Sequence, residues 1–209
     1  MSNEKSQTQT HRPPAYDRVA PRYDRAMRPL ERLGLAQLRA ATLRELPEDA
    51  RLLEVGAGTG ANFSFYPRGA RGAASDASGE MLSIAREKPE RPRGVALVQT
   101  RAERLPFADA SFDAAFATLV FCSVASPREA FEELRRVVRR GGTVALLEHV
   151  RPKGPLGYVF DALSLLTVAL FDDHFNRRTA DEARRAGLKV LRVERHLLGI
   201  VQIIVCRVE

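Results

Sequence analysis

The chain has 209 residues, 44% of them hydrophobic and 28% charged, which suits one domain with a sizeable core and at most a small appendage. Its two cysteines, Cys122 and Cys206, exclude a disulfide scaffold and a Cys-rich zinc module. The net charge is +7, and 29 of the 33 basic residues are Arg. That bias suits a bidentate grip on phosphates, carboxylates or nucleic acid, and coding composition or a heat-adapted surface would also produce it.

Met1 to Pro14 is polar and reads as a disordered tail. With no apolar h-region at the start, the expectation is a cytoplasmic protein. Residues 15–47 form the next unit, where Val19, Ala20, Tyr23, Met27, Leu30, Leu33 and Leu38 recur at helical spacing. Arg18, Arg22, Arg25, Arg28 and Arg32 line the outer face. Pro21 and Pro29 predict a break into short helices, and Pro47 closes the segment.

Residues 48–209 then alternate. Strands are predicted at Arg51 to Val55, Gly72 to Ser75, Val95 to Gln99, Phe112 to Val120 and Thr143 to His149. Helices are predicted after the Gly-rich turn that follows the first strand, at Ser78 to Lys88 and at Pro127 to Arg140, the last ended by Gly141-Gly142. Two β-rich runs, Lys189 to Val193 and Ile200 to Cys206, close the chain. Strands alternating with helices predict an α/β, doubly wound parallel sheet. Ligands bind such sheets outside the C-terminal ends of the strands.

The strongest motif is Leu52-Leu53-Glu54-Val55-Gly56-Ala57-Gly58-Thr59-Gly60, where glycines admit a ligand to the backbone between strand and helix. Gly56, Gly58 and Ala61 also satisfy a loose dinucleotide pattern, with Asp76 at the right distance. Glu54 separates the readings: a carboxylate there repels a pyrophosphate and suits a cationic ligand. Asp76, ending the second strand, is placed to accept from both ribose hydroxyls; the alternative is a cap for the helix that follows.

These residues resemble motif I of the class I S-adenosylmethionine-dependent methyltransferases. Matches follow in the family's order: Asp76 with Ala77, Ser78 and Met81; Ala102-Glu103-Arg104-Leu105-Pro106-Phe107; Ser111-Phe112-Asp113; and Leu134-Arg135-Arg136-Val137. The resemblance implies a Rossmann-like seven-stranded sheet, mostly parallel with the last strand antiparallel, under an N-terminal helical lid. It implies S-adenosylmethionine as cofactor, S-adenosylhomocysteine as product and no metal. Glu54, Gly56, Ala57, Gly58, Thr59, Gly60, Asn62, Asp76, Ala77, Met81, Ala102, Glu103 and Thr118 are the implied cofactor-binding residues. Arg101 stands where relatives usually carry an Asp for the adenine amino group.

Tyr16-Asp17-x-x-Ala20-x-x-Tyr23-Asp24 resembles the N-terminal signature of small-molecule and lipid-quinone methyltransferases, whose tyrosines fold over the cofactor. The clamp and catalytic Cys of nucleic-acid methyltransferases are missing around Thr118 to Val124, so no nucleic-acid partner is expected and Cys122 reads as a packing residue. Leu146-Leu147-Glu148-His149-Val150 puts two ionisable groups at the end of strand five. Pro155 to Phe171 is apolar but shorter than the roughly 20 residues that span a bilayer. It reads as a core helix or as a lipid-facing lid.

With Phe171-Asp172-Asp173-His174-Phe175-Asn176-Arg177-Arg178-Thr179, these strings resemble the bacterial phosphatidylethanolamine N-methyltransferases and the membrane-associated thiol methyltransferases; quinone C-methyltransferases share much of the pattern. The implied reaction is in-line displacement on the sulfonium methyl, accelerated by alignment in a closed site. His149 is the expected base or proton acceptor, with Glu148 orienting it or attracting the cationic head group, His174 in reserve and Tyr16 and Tyr23 closing the site. Arg177, Arg178 and Tyr158 are the expected lipid-binding residues. The expectation is a monomer in peripheral contact with anionic membrane. A nicotinamide-dependent oxidoreductase and a non-catalytic membrane adaptor are the competing readings.

Overall fold

The computed structural model describes residues 15–149 and 178–209. The seven strands lie in the order β3-β2-β1-β4-β5-β7-β6: β1 (Arg51–Val55), β2 (Arg71–Asp76), β3 (Val95–Gln99), β4 (Phe112–Thr118), β5 (Val138–His149), β6 (Leu188–His196) and β7 (Val201–Val208). From β3 to β5 neighbours are parallel, whereas β7 runs antiparallel between β5 and β6. The order reverses between β1 and β4, which places a ligand cleft at their C-terminal ends.

Burial on both faces explains the near-continuous apolar strands. Leu53, Val55, Ala115 and Ala117 pack beneath Phe131, Leu134 and Val137 of α4 (Pro127–Val137) and Ala183 of α5 (Thr179–Arg185). On the other face, Leu52, Ala114, Phe116 and Ala145 meet Leu43 and Leu46 from the N-terminal segment. Ser126 caps α4 by accepting from the Glu129 amide at 3.4 Å, with Pro127 in the first turn, where its missing N–H costs nothing. Phe131 then stacks on Phe121 at 4.2 Å between ring centres.

Several boundaries differ from the sequence expectation. The fourth helix stops at Val137 rather than Arg140, because Val138 pairs with Phe112 and Arg139 is drawn to Asp113 at 2.8 Å. Strand five therefore starts five residues early and carries Gly141, at φ +76°, in its irregular stretch. Strand four ends at Thr118, before Leu119, whose φ is +59°. The helix expected after the glycine turn is only the single 3-10 turn Phe63–Phe65, with Pro67 close behind it, whereas the helix expected at Ser78 to Lys88 is α3 (Gly79–Arg86), with Ser78 as its cap.

In the N-terminal segment, Pro21 lies in the first turn of α1 (Ala20–Leu30) and does not break it. The interruption falls at Gly34 (φ +125°), inside the wide turn Glu31–Leu35 that leads to α2 (Ala36–Leu43); such a backbone suits only glycine well. The five outer arginines are exposed as expected. Leu30 (52% exposed) and Leu33 (82%) are exposed too, so the apolar stripe does not pack along its whole length. Among the described residues, no helix is long and apolar enough to cross a membrane. The tail Met1 to Pro14, the apolar run Pro155 to Phe171, and Tyr158, His174 and Arg177 lie outside the described residues.

Candidate active site

The turn after β1 carries three positive-φ glycines, each with different surroundings. A Cβ on Gly56 would come within 2.3 Å of Val120, and one on Gly60 within 2.3 Å of Phe63, so both are required by packing. At Gly58 a Cβ would meet no heavy atom within 4 Å. Gly58 thus keeps open the space beside the turn and exposes backbone to whatever enters it.

Asp76 closes the other side. Its Oδ2 accepts from the Gly58 amide and its Oδ1 from the Ser78 amide, each at 2.8 Å. Burial raises its pKa against the lowering effect of these amides. The helix cap is Ser78, whose hydroxyl accepts from the Met81 amide at 3.1 Å, so Asp76 is not that helix's cap. Met81 is buried, and the exposed Ala77 accepts from Gln99 through its carbonyl.

Glu54 is fully buried rather than lining an open cleft. Asn62 Nδ2 donates to its Oε1 and the Tyr66 hydroxyl to its Oε2, each at 2.6 Å. Burial raises the Glu54 pKa, opposed by these bonds and by Arg39. The same amide of Asn62 donates to Thr118 Oγ1 at 2.9 Å, and Arg39 Nη1 reaches both Asn62 Oδ1, at 3.1 Å, and Thr118 Oγ1. Arg39 and Tyr66 were missed from sequence. Arg39 follows Leu35 and precedes Leu43 at four-residue steps, on the helix's apolar stripe, which is the signal that marks it.

In the N-terminal signature the aspartates hold the segment down. Asp17 accepts from the Ser78 hydroxyl. Asp24 accepts from Thr59 Oγ1 at 2.5 Å and pairs with Lys88 at 2.9 Å; burial raises its pKa, but the bonds to Thr59 and Lys88 outweigh that and leave it lowered. Tyr16 and Tyr23 pack edge to face at 6.3 Å. The segment therefore touches both walls of the cleft, the glycine turn and the start of α3.

The far side differs from the expectation. Glu148 does not orient His149: neighbours on a strand point to opposite faces, and Glu148 Oε1 accepts from the Val120 and Phe121 amides at 3.0 and 3.2 Å. With the Leu119 amide bonded to Leu147 O at 2.7 Å, it holds a left-handed backbone that would otherwise be strained, and so presents Val120 to Gly56. Burial lowers the His149 pKa to about 4, which leaves a neutral imidazole and a weak base. Glu103 binds the Ala125 and Ser126 amides, with Arg101 at 3.5 Å, so its carboxylate braces the loop before α4. Ala102 packs against the main core. Arg178 is exposed, and its carbonyl accepts from Asp181 and Glu182 at the start of α5. Cys122 is buried, as a packing residue should be.

An open cradle at Gly58 beside a carboxylate that ends β2 fits the adenosyl end of S-adenosylmethionine.

Residues 53–146 match the methyltransferase domain family. The chain is 33% identical over 147 residues to a thiol S-methyltransferase of Homo sapiens, covering 68% of this chain and 59% of that protein. It is 40% identical over 119 residues to a phosphatidylethanolamine N-methyltransferase of Cereibacter sphaeroides, covering 54% and 58%. A demethylmenaquinone methyltransferase of Clavibacter sepedonicus is 36% identical over 145 residues, covering 68% and 59%. The chain thus spans about six-tenths of the length of these relatives. In fold it superposes with a TM-score of 0.76 and 18% identity on the methyltransferase of a Haloferax volcanii complex with the Trm112 methyltransferase activator, over 92% of this chain and 97% of that one. The cradle, the β2 carboxylate and the strand order agree with these similarities, and the chain carries a methyltransferase domain over residues 53–146.

Proposed function

We propose that the protein transfers methyl groups from S-adenosylmethionine to a lipid or amphiphilic acceptor. The first choice of acceptor is the amine of phosphatidylethanolamine, methylated toward phosphatidylcholine. One observation carries the amphiphile reading: Leu30 and Leu33 stand exposed on a segment whose outer face presents Arg18, Arg22, Arg25, Arg28 and Arg32. That combination suits the boundary between acyl chains and anionic head groups. The 40% identity to a phosphatidylethanolamine N-methyltransferase supports the choice of amine.

S-adenosylmethionine, when bound, supplies the electrophilic methyl of its sulfonium. Asp76 and the Gly58 backbone hold the adenosyl end, and Tyr16 and Tyr23 on the N-terminal segment exclude water as its lid. An ethanolamine ammonium, with a pKa of roughly 10, has to shed a proton before it can attack. His149, at about 4, is far too weak a base to hold it. Its neutral ring instead accepts a hydrogen bond and orients the acceptor, while the desolvated cleft favours the neutral amine, whose proton is released to solvent as the head group enters. A quinone carbon and a thiol sulfur are the alternatives that the other relatives support.

The test is incubation with radiolabelled S-adenosylmethionine and, separately, phosphatidylethanolamine vesicles, a demethylated quinone and an alkyl thiol. Label in the phospholipid is the expected result; label only in quinone or thiol replaces the acceptor, and label in none of them contradicts the reading. Sedimentation with phosphatidylglycerol vesicles at low salt, reversed as ionic strength rises, is the expected membrane behaviour.

A further inference from the structure

Arg39 is the only charged group sent by the N-terminal helices into the buried interior among the described residues; its side chain is 4% exposed. It donates from Nε to Glu31 Oε1 at 3.0 Å and from Nη1 to Asn62 Oδ1 and Thr118 Oγ1. A guanidinium only donates. Asn62 must therefore turn its carbonyl to Arg39 and its NH2 to Glu54, which it meets at 2.6 Å. Tyr66 donates to the other Glu54 oxygen, so Glu54 is placed as an acceptor at both oxygens, the state of an ionised carboxylate.

We propose that Arg39 is a positioning residue for the cofactor: through Asn62 and Thr118 it fixes the orientation and negative charge of Glu54, and ties both to the seating of the N-terminal helices. Without the guanidinium, the Asn62 amide is free to turn over and present its carbonyl to Glu54, which then needs a proton. Asn62, Tyr66 and Arg39 favour the charged form of Glu54, while burial and Asp76 oppose it; the Ser75 hydroxyl bonds only its backbone carbonyl. Removing Arg39 leaves no cation in this balance. The inference rests on the reading of the cleft as an S-adenosylmethionine site.

The experiment is calorimetric titration of S-adenosylmethionine into the wild type, Arg39→Met and Arg39→Lys from about pH 6 to 8, a range above ordinary carboxylate titration, so that only a carboxyl with a raised pKa responds to the variant. Each variant is compared with the wild type at the same pH, so that the ligand's own titration cancels. Arg39→Met is expected to bind roughly tenfold or more weakly, the scale of a bond to a charged group, with the deficit growing as pH falls. Arg39→Lys should keep a pH-independent ratio to the wild type and a smaller loss. Should Arg39→Met not fold, Arg39→Gln, which keeps a donor without the charge, carries the same pH test. Hydrogen exchange in α1 and α2 should quicken in the neutral variants. Wild-type affinity in Arg39→Met, or equal and pH-independent losses in Met and Lys variants, overturns the inference alone. A wild type that does not bind S-adenosylmethionine overturns both the inference and the function on which it rests.

Discussion

The two halves of the sheet end differently. On the β3-β2-β1 side, the strand ends meet backbone amides, a glycine cradle and a chain of paired side chains from Glu54 to Arg39. On the β4-β5 side, Glu148 holds the Leu119 turn and His149 is a half-buried neutral ring. The first half is held in place by its own hydrogen bonds, which suits recognition of one invariant molecule. Among the described residues the second offers no strong base, so choice of acceptor falls to the surfaces around it. One fold can then serve amines, thiols and carbons without altering its cofactor half.

Substitutions that separate the halves are the way to break this contrast. The largest effect is expected from Gly58→Val: its side chain fills the open cradle, so binding of S-adenosylmethionine should be lost, while circular dichroism shows a retained fold. The φ of +54° adds only about 1–2 kcal/mol of backbone strain. Next, Asp76→Ala should weaken cofactor affinity by roughly 1.5–3 kcal/mol, the scale of hydrogen bonds to a charged group, with little change in the acceptor's KM. Unchanged affinity by calorimetry would show that Asp76 serves only the backbone amides of Gly58 and Ser78.

The acceptor half should reveal itself in stability against pH. His149 has a folded pKa of about 4 against 6.5 in the unfolded chain, so the unfolded state binds the extra proton between those values. Stability is complete above the unfolded value and falls as pH drops toward the folded one, by about 2 kcal/mol between pH 7 and 5. Urea unfolding of His149→Gln at the two pH values should show that slope flattened; an unchanged slope would assign it elsewhere. The smallest effect belongs to the latch on the N-terminal segment. Lys88→Met removes an ion pair whose members are 25% and 47% exposed, which contributes at most about 1 kcal/mol. Faster hydrogen exchange in α1, with unfolding midpoint nearly unchanged, is the expected signature.

How far the sequence carried these halves follows the same division. The glycine turn was legible because close approach of ligand to backbone constrains residue type at fixed spacing, and Asp76 because it ends the next strand. The sheet was legible because burial on both faces leaves apolar runs such as Ala114 to Ala117. The Arg39–Asn62–Thr118 cluster was not, since its members lie 23 and 79 positions apart in bonded pairs and an Arg on a helix ordinarily reads as solvated. Glu148 and His149 looked like a catalytic pair because they are adjacent in sequence; the alternation of a strand sends them apart. The end of α4 was misplaced because Gly141-Gly142 resembles a helix stop, whereas pairing of Val138 with Phe112 and of Arg139 with Asp113 decides it earlier.

The central claim is that the β1–β2 end is an S-adenosylmethionine site. Calorimetric titration of the wild-type chain with S-adenosylmethionine, and in parallel with a nicotinamide dinucleotide, tests it most directly. The account predicts saturable one-to-one binding of S-adenosylmethionine, none of the dinucleotide, and loss of the signal in Gly58→Val. Binding of the dinucleotide in preference, or S-adenosylmethionine binding that survives Gly58→Val, would contradict it.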